Sequence, residues 1–219
     1  MLKINHLSKT YADGKIGVKD LNLSVEAGDI CAFIGPNGSG KTTTTVQLLN
    51  NEWTADSLYI NPDNIAQEMF GDWNSPEAVM KAAEHATKLR YECLEQKRDF
   101  VFETVFSSAE KLEFLRKAKE AGFFIRLFYV CTSAPAINVA RITQRYLNGG
   151  HEVPISKVIS RYYKSLINAE EAISFVDRAY VYDNSIDNEL PRLLYRTTDG
   201  QLFKQYVKEI PEWARMLLK

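Results

Sequence analysis

The chain has 219 residues, 45% of them hydrophobic and 25% charged, and a formal net charge of −1. These proportions suit one globular domain of the larger kind and exclude a global electrostatic attraction to nucleic acid or to an acidic membrane surface. The longer apolar runs, such as 123–131 with Arg126 inside it, are too short to span a bilayer. The N-terminus lacks the basic, apolar and small-residue succession of a signal peptide. Cys31, Cys93 and Cys131 are odd in number and widely spaced, which points to buried free thiols in a reducing compartment rather than to a disulfide or a metal site. The expectation is a cytoplasmic protein without a nucleic-acid or membrane partner.

Residues 1–34 open with two short alternating runs, Leu2–Leu7 and Ile16–Val25, punctuated by Asp13-Gly14 and Gly28, so a β-rich beginning is expected. Asp29–Ile34 is an apolar run after a glycine turn and reads as a buried strand. It leads directly into Gly35-Pro36-Asn37-Gly38-Ser39-Gly40-Lys41-Thr42, followed by Thr43 and a breaker-free stretch to Leu49 that reads as a helix. This spelling fits G-x-x-x-x-G-K-[ST] at every fixed position, in the strand–loop–helix context the motif requires. The glycines admit backbone angles closed to other residues, so that successive N–H groups can turn inward around phosphate. The helix N-terminus adds its positive dipole end. Lys41 is expected to reach the β- and γ-phosphates and Thr42 to offer its hydroxyl to Mg²⁺. A nucleoside triphosphate site, with ATP and Mg²⁺ as cofactors, follows from the motif.

Beyond it, Ser57–Ile60 reads as a strand ending at Asn61-Pro62-Asp63-Asn64. Ser75-Pro76 opens a long helix, with Val79, Ala82, Ala83, Ala86, Leu89, Cys93 and Leu94 as its buried stripe. Phe100–Thr104 is a third strand. Ser107-x-x-Glu110 reads as a capping box for a helix that stops at Gly122, and Phe123–Cys131 reads as a strand covered on both faces. Helices are expected from Pro135 to Leu147 and from Pro154 to about Phe175, separated by Gly149-Gly150. Ala179–Tyr182 is a further strand. Leu193–Thr197 and Gln201–Phe203 around Asp199-Gly200 form a terminal hairpin, with a short helix after Pro211. Strands alternating with helices predict an α/β fold of P-loop NTPase type, a mostly parallel sheet with helices on both faces. A single domain over 1–219 is expected, with a β-rich N-terminal extension over 1–28 and a helical lid over 135–175.

A P-loop fixes the nucleotide; the reaction depends on which groups meet the γ-phosphate. Asp63 and Glu103 both end strands on the P-loop side of the sheet, where open α/β sheets bind ligands. Asp63 is the candidate base for an acceptor hydroxyl, with a helix-capping role as the structural alternative. Glu103, followed by Thr104, is a candidate to position substrate or to hold a Mg²⁺-bound water, against a plain ion-paired carboxylate. Arg141 and Arg145 lie one helical turn apart and Arg161 lies on the next helix. Two helices hinged at Gly149-Gly150-His151, each bringing an arginine, read as a lid whose guanidinium forks clamp phosphate. Arginines in surface salt bridges are the alternative for each. Arg126, inside a strand pattern, is expected to be structural.

Two resemblances add to this reading. Residues 1–44, with Tyr11, Asp29-Ile30 and Gly35–Thr44, resemble the beginning of an ABC-transporter ATP-binding subunit, where an aromatic residue placed like Tyr11 stacks on adenine. That family's Leu-Ser-Gly-Gly-Gln signature and its apolar run followed by Asp-Glu are not found in this sequence. From about 52 to 205 the chain resembles the zeta-toxin family of P-loop kinases. The residues that carry it are Tyr59-Ile60-Asn61-Pro62-Asp63, Phe102-Glu103-Thr104, Arg145 with Gly149-Gly150-His151-x-Val153-Pro154, Arg161-Tyr162-Tyr163 and Tyr182-Asp183-Asn184-Ser185. Val105 stands where toxin members carry threonine. The resemblance implies ATP-dependent phosphorylation of a sugar hydroxyl, with UDP-N-acetylglucosamine as the leading acceptor and an antitoxin protein as partner. It also implies Asp63 as base, Lys41 and Thr42 on phosphate and Mg²⁺, Glu103 on substrate, and Arg145 with Arg161 on the γ-phosphate. An ABC-type ATPase subunit, or an ATP-binding protein without catalysis, are the alternatives.

Overall fold

The computed structural model describes residues 2–10, 16–25, 28–48, 57–71, 75–149 and 152–218. Tyr11, Gly150 and His151, each given a role above, lie outside the described residues. The first two strands, β1 (Leu2–Thr10) and β2 (Ile16–Val25), pair antiparallel in a two-stranded sheet of their own.

The main sheet grows from the uninterrupted apolar run of β3 (Asp29–Gly35), which is buried along its whole length. Such a run suits a strand covered on both faces, and β3 takes an interior place with parallel neighbours β5 (Phe100–Val105) and β6 (Phe124–Cys131). The spatial order is β4 (Leu58–Ile60), β5, β3, β6, β7 (Arg178–Asp183), β8 (Arg192–Thr198), β9 (Gln201–Gln205). The first five run parallel, and the closing hairpin adds two antiparallel strands. The mostly parallel α/β expectation holds.

Seven helices lie among the described residues: α1 (Lys41–Leu48), α2 (Pro62–Phe70), α3 (Pro76–Glu95), α4 (Ala109–Glu120), α5 (Pro135–Leu147), α6 (Ile155–Ile173) and α7 (Glu212–Arg215). One face of the sheet carries the larger core, in which Phe100, Phe102, Phe114, Tyr129 and Trp213 are buried. The other face is narrower and aromatic. Phe33 stacks on Phe128 with centroids 4.5 Å apart, and Phe128 on Tyr180 at 4.9 Å. Register puts Val101 opposite Tyr59 and Glu103 opposite Phe33, so Tyr59, Val101 and Glu103 share this second face. No helix among the described residues is long and apolar enough to cross a membrane.

Local chemistry sets the helix starts, with two departures from expectation. Ser75 caps α3, accepting from the Ala78 N–H at 3.2 Å, as its position before Pro76 predicts. The capping box at Ser107 does not form: the N-cap of α4 is Ser108, without a side-chain cap bond. Glu110 is instead engaged by Lys111 at 2.6 Å and by Arg90 at 3.5 Å. Arg90, only 1% exposed, sets its guanidinium against the rings of both Phe102 and Phe114. Its buried charge needs a carboxylate more than the helix end does. The buried residues of α3 are Ala78, Ala82, Ala86, Arg90, Cys93 and Leu94; Ala82, Ala86, Cys93 and Leu94 are as expected, whereas Val79 and Ala83 line a cleft instead. Arg126 is structural as expected, buried and ion-paired with Asp29.

Candidate active site

The P-loop fills the turn between β3 and α1, and its shape is fixed both from outside and by its own helix. Five consecutive carbonyls each accept a donor. Lys41 Nζ donates to Pro36 O at 3.0 Å, Asn138 Nδ2 to Asn37 O at 2.5 Å, and Arg141 to Gly38 O at 3.5 Å. Asn184 Nδ2 donates to Ser39 O at 2.8 Å, and the Thr44 N–H to Gly40 O at 2.9 Å. In a trans peptide the N–H points opposite the C=O of the same plane. Pulling the Asn37 and Ser39 carbonyls outward therefore turns the N–H groups of Gly38 and Gly40 into the loop, as phosphate binding requires. Packing forbids side chains where it is tightest. A Cβ on Gly35 would lie 2.0 Å from the Val130 carbonyl oxygen, and one on Gly40, at φ +86°, 2.1 Å from Asn184 Nδ2. Ser39 is buried and its hydroxyl lacks a hydrogen-bond partner.

A cleft of about 590 Å³ opens beside the loop. Of the loop residues singled out in the sequence, Asn37, Gly38, Gly40, Lys41, Thr42 and Thr43 line it; Gly35, Pro36 and Ser39 stand behind. Asp63, Glu103, Thr104, Arg145 and Arg161 line the same cleft. Asp63 is exposed in the first turn of α2. The capping role weighed for it belongs to Asn61, whose Oδ1 accepts the Asp63 N–H at 2.9 Å. Arg161 reaches Asn37 Oδ1 at 3.4 Å. Arg141 follows its alternative: its fork takes Asp187 at 2.6 Å and the Asn184 carbonyl at 2.8 Å, bracing the loop after β7 against the P-loop.

Glu103 sits on the P-loop helix. It is 6% exposed; Thr42 donates to its Oε1 at 2.6 Å, and Tyr59 and Thr45 donate to its Oε2 at 3.0 and 3.4 Å. Burial lowers the Lys41 ionisation below its ordinary range, with Glu103 and Asp63 opposing that shift and Arg145 adding to it. Burial, reinforced by Glu103, raises that of Tyr59 and keeps its hydroxyl a donor. Thr42 and Glu103 form an oxygen-only set next to the phosphate cradle. Among the described residues no group of three or more His, Cys, Asp or Glu could hold an ion by itself. The oxygen-only pair of Thr42 and Glu103 fits a hard cation such as Mg²⁺, which keeps waters and leans on substrate phosphates rather than on a protein cage.

Sequence reasoning missed Tyr59 and Asn138 as site supports. Asn138 carried a readable signal. An asparagine one turn before Ile142 on the buried stripe of α5 is unfavourable unless its amide is used. Here it is fully buried, between Thr132 and the P-loop.

Among known proteins, the chain is 44% identical over 70 residues to the carnitine transport ATP-binding protein OpuCA of Listeria monocytogenes, a match spanning 31% of this chain and 17% of that protein. It is 32% identical over 130 residues to an uncharacterized protein of Haemophilus influenzae, spanning 59% of this chain and 89% of that one. Two solved structures share the fold. The AvrRxo1-ORF1:AvrRxo1-ORF2 complex with sulphate ions matches at TM-score 0.61 and 15% identity, over 80% of this chain and 60% of that one. The PezAT chromosomal toxin-antitoxin system of Streptococcus pneumoniae matches at TM-score 0.57 and 16% identity, over 89% and 85%. The family described as an AAA domain matches residues 30–165, the segment from β3 into α6 that carries the P-loop, Asp63, Glu103, Arg145 and Arg161, and the chain belongs to that family.

Proposed function

We propose that this chain is a Mg²⁺- and ATP-dependent small-molecule kinase of zeta-toxin type, acting on a sugar hydroxyl. The observation that carries the reading is one cleft flanked by a phosphate cradle and a carboxylate, with Lys41, Arg145, Arg161 and Asp63 all on its wall. Phosphoryl transfer asks for little more than such positioning and charge. Asp63 takes the proton of the acceptor hydroxyl, whose oxygen bonds to the γ-phosphorus as the bond to the β–γ bridging oxygen breaks and ADP leaves. Lys41, Arg145 and Arg161 take up charge on the transferring group. Thr42 would hold Mg²⁺, whose charge would offset that of the phosphates, and Glu103 and Thr104 are assigned to the acceptor side of the cradle.

UDP-N-acetylglucosamine is the acceptor we propose, on the family resemblance of 52–205. A protein partner of antitoxin type and a cytoplasmic location belong to the same reading. The partial match to a transport ATP-binding protein favours a second reading, an ATPase subunit of ABC type serving a membrane partner.

Purified protein incubated with Mg²⁺-ATP and UDP-N-acetylglucosamine, analysed by mass spectrometry, tests the first against the second. A phosphorylated sugar nucleotide from wild type, absent with Asp63→Ala and Lys41→Ala, is the expected result. ATP bound without any acceptor-dependent product discards this acceptor. ATP hydrolysed equally with and without acceptors supports the transport reading.

A further inference from the structure

The cleft hides a continuous hydrogen-bonded path between the two ends of the site. The Asp63 N–H donates to Asn61 Oδ1 at 2.9 Å, and Asn61 Nδ2 donates to the Tyr59 hydroxyl at 3.0 Å. Tyr59 donates to Glu103 Oε2 at 3.0 Å, and Glu103 Oε1 accepts from Thr42 at 2.6 Å. We infer that Tyr59 and Asn61 are positioning residues that, through Glu103, couple the cation seat at Thr42 to the acceptor base at Asp63. The inference rests on the phosphotransfer reading for the roles of Thr42 and Asp63, but the path itself consists of contacts within this chain.

Its polarity has one solution. The Glu103 carboxylate accepts from both hydroxyls. Tyr59, its single proton spent, must then accept from the Asn61 amide nitrogen. The Asn61 oxygen is left for the Asp63 N–H, which fixes that amide's orientation. Thr42 likewise spends its one proton on Glu103, so its lone pairs are left for a cation. A hydroxyl donating to a carboxylate is also a more basic ligand, and such partners orient a metal ligand and tune it. Capping α2 alone would not require this arrangement. A serine at position 61 would cap as well, whereas here both ends of the Asn61 side chain are used. Glu103 thereby acts on the cradle through Thr42 in addition to the substrate contact proposed for it.

The test is calorimetric, without any acceptor. ATP affinity is measured with Mg²⁺ and with EDTA, and the ratio of the two affinities gives the metal coupling. Tyr59→Phe keeps the ring and deletes the hydroxyl; Asn61→Ser keeps the cap and deletes the amide N–H. We expect Tyr59→Phe to reduce the coupling about tenfold, with metal-free affinity within about twofold of wild type. Asn61→Ser should reduce the coupling less, and in the Tyr59→Phe background should add nothing, since the two act through one path. Unchanged coupling in folded single variants, checked by thermal unfolding, overturns the inference, and so do additive effects in the double variant. If wild type binds ATP but transfers to no acceptor, the kinase reading fails while the coupling result still decides the path. If wild type binds no nucleotide, both fall.

Discussion

The two flanks of the P-loop are held by opposite means. On the α5 flank, Asn138, Arg141 and Asn184 donate to main-chain carbonyls of the loop. They meet no loop side chain through these bonds, so what they determine is backbone shape. On the β5 flank, Glu103, to which Tyr59 also donates, accepts from the side chains of Thr42 and Thr45 and leaves the loop backbone alone. One flank makes a cradle out of a turn; the other aims the reactive groups that the cradle presents. Shape and chemistry should therefore be separable by mutation, which a site built from a single network would not allow.

The largest separation is expected at Asp63. On the proposed reading, Asp63→Asn removes the base and nothing from the cradle. Turnover should fall about 10²- to 10⁴-fold while calorimetric ATP affinity stays at the wild-type value. A variant that loses both would place Asp63 in nucleotide binding and break the division. Asn138→Ala attacks the opposite flank. It strands a partly buried carbonyl at Asn37, so unfolding by denaturant should show a loss of about 1–3 kcal/mol. ATP affinity should fall about tenfold with or without Mg²⁺, because loop shape matters to both. The metal coupling, which Tyr59→Phe lowers, should not change here.

Lys41 sharpens the contrast through pH. Its ionisation is lowered, chiefly by burial, and bound phosphate favours its charged form. ATP affinity should therefore weaken as pH rises through the lowered value, earlier than an ordinary lysine would allow. Fold stability takes the other sign. Between the lowered folded value and the ordinary lysine value the unfolded chain binds more protons, so stability rises with pH in that window. Titrating affinity and unfolding free energy side by side, with Lys41→Met as the reference lacking both slopes, checks the pair.

What was legible in the sequence follows from how local each signal is. Gly35–Thr42, the apolar run of β3, and Ser75-Pro76 before α3 are short-range statements, and the structure repeats them nearly residue for residue. The expected helix from Pro135 to Leu147 matches α5 at both ends. The misreadings concern side chains whose partners are distant in sequence. Glu110 satisfied a capping pattern three residues from Ser107, yet Arg90 on another helix recruits it. Glu103 announced a carboxylate at the site but not its direction; only the register of β4, β5 and β3 puts it beside Tyr59 and over α1. Pattern finds the residues that chemistry cannot do without, and pairing decides what each one faces.

The smallest effect should come from the thiols, and it tests whether the α5 flank tightens on its own. Burial pushes Cys31 and Cys131 up to about 12, so at neutral pH they react only through opening of the structure, the thiolate being the nucleophile. Cys131 lies under that flank: its carbonyl accepts the Asn184 N–H at 2.8 Å, and Asn184 in turn holds Ser39. Cys93 is buried on α3, where the Arg98 N–H closes the helix onto its carbonyl at 3.0 Å, away from the loop. A nucleotide that binds the closed cradle should slow iodoacetamide labelling of Cys131 about two- to fivefold and leave Cys93 as it was, read by peptide mass spectrometry. Equal slowing at both thiols would mean that the nucleotide stabilises the whole domain as one unit, and the α5 flank would then have no stability of its own to distinguish it from the β5 side.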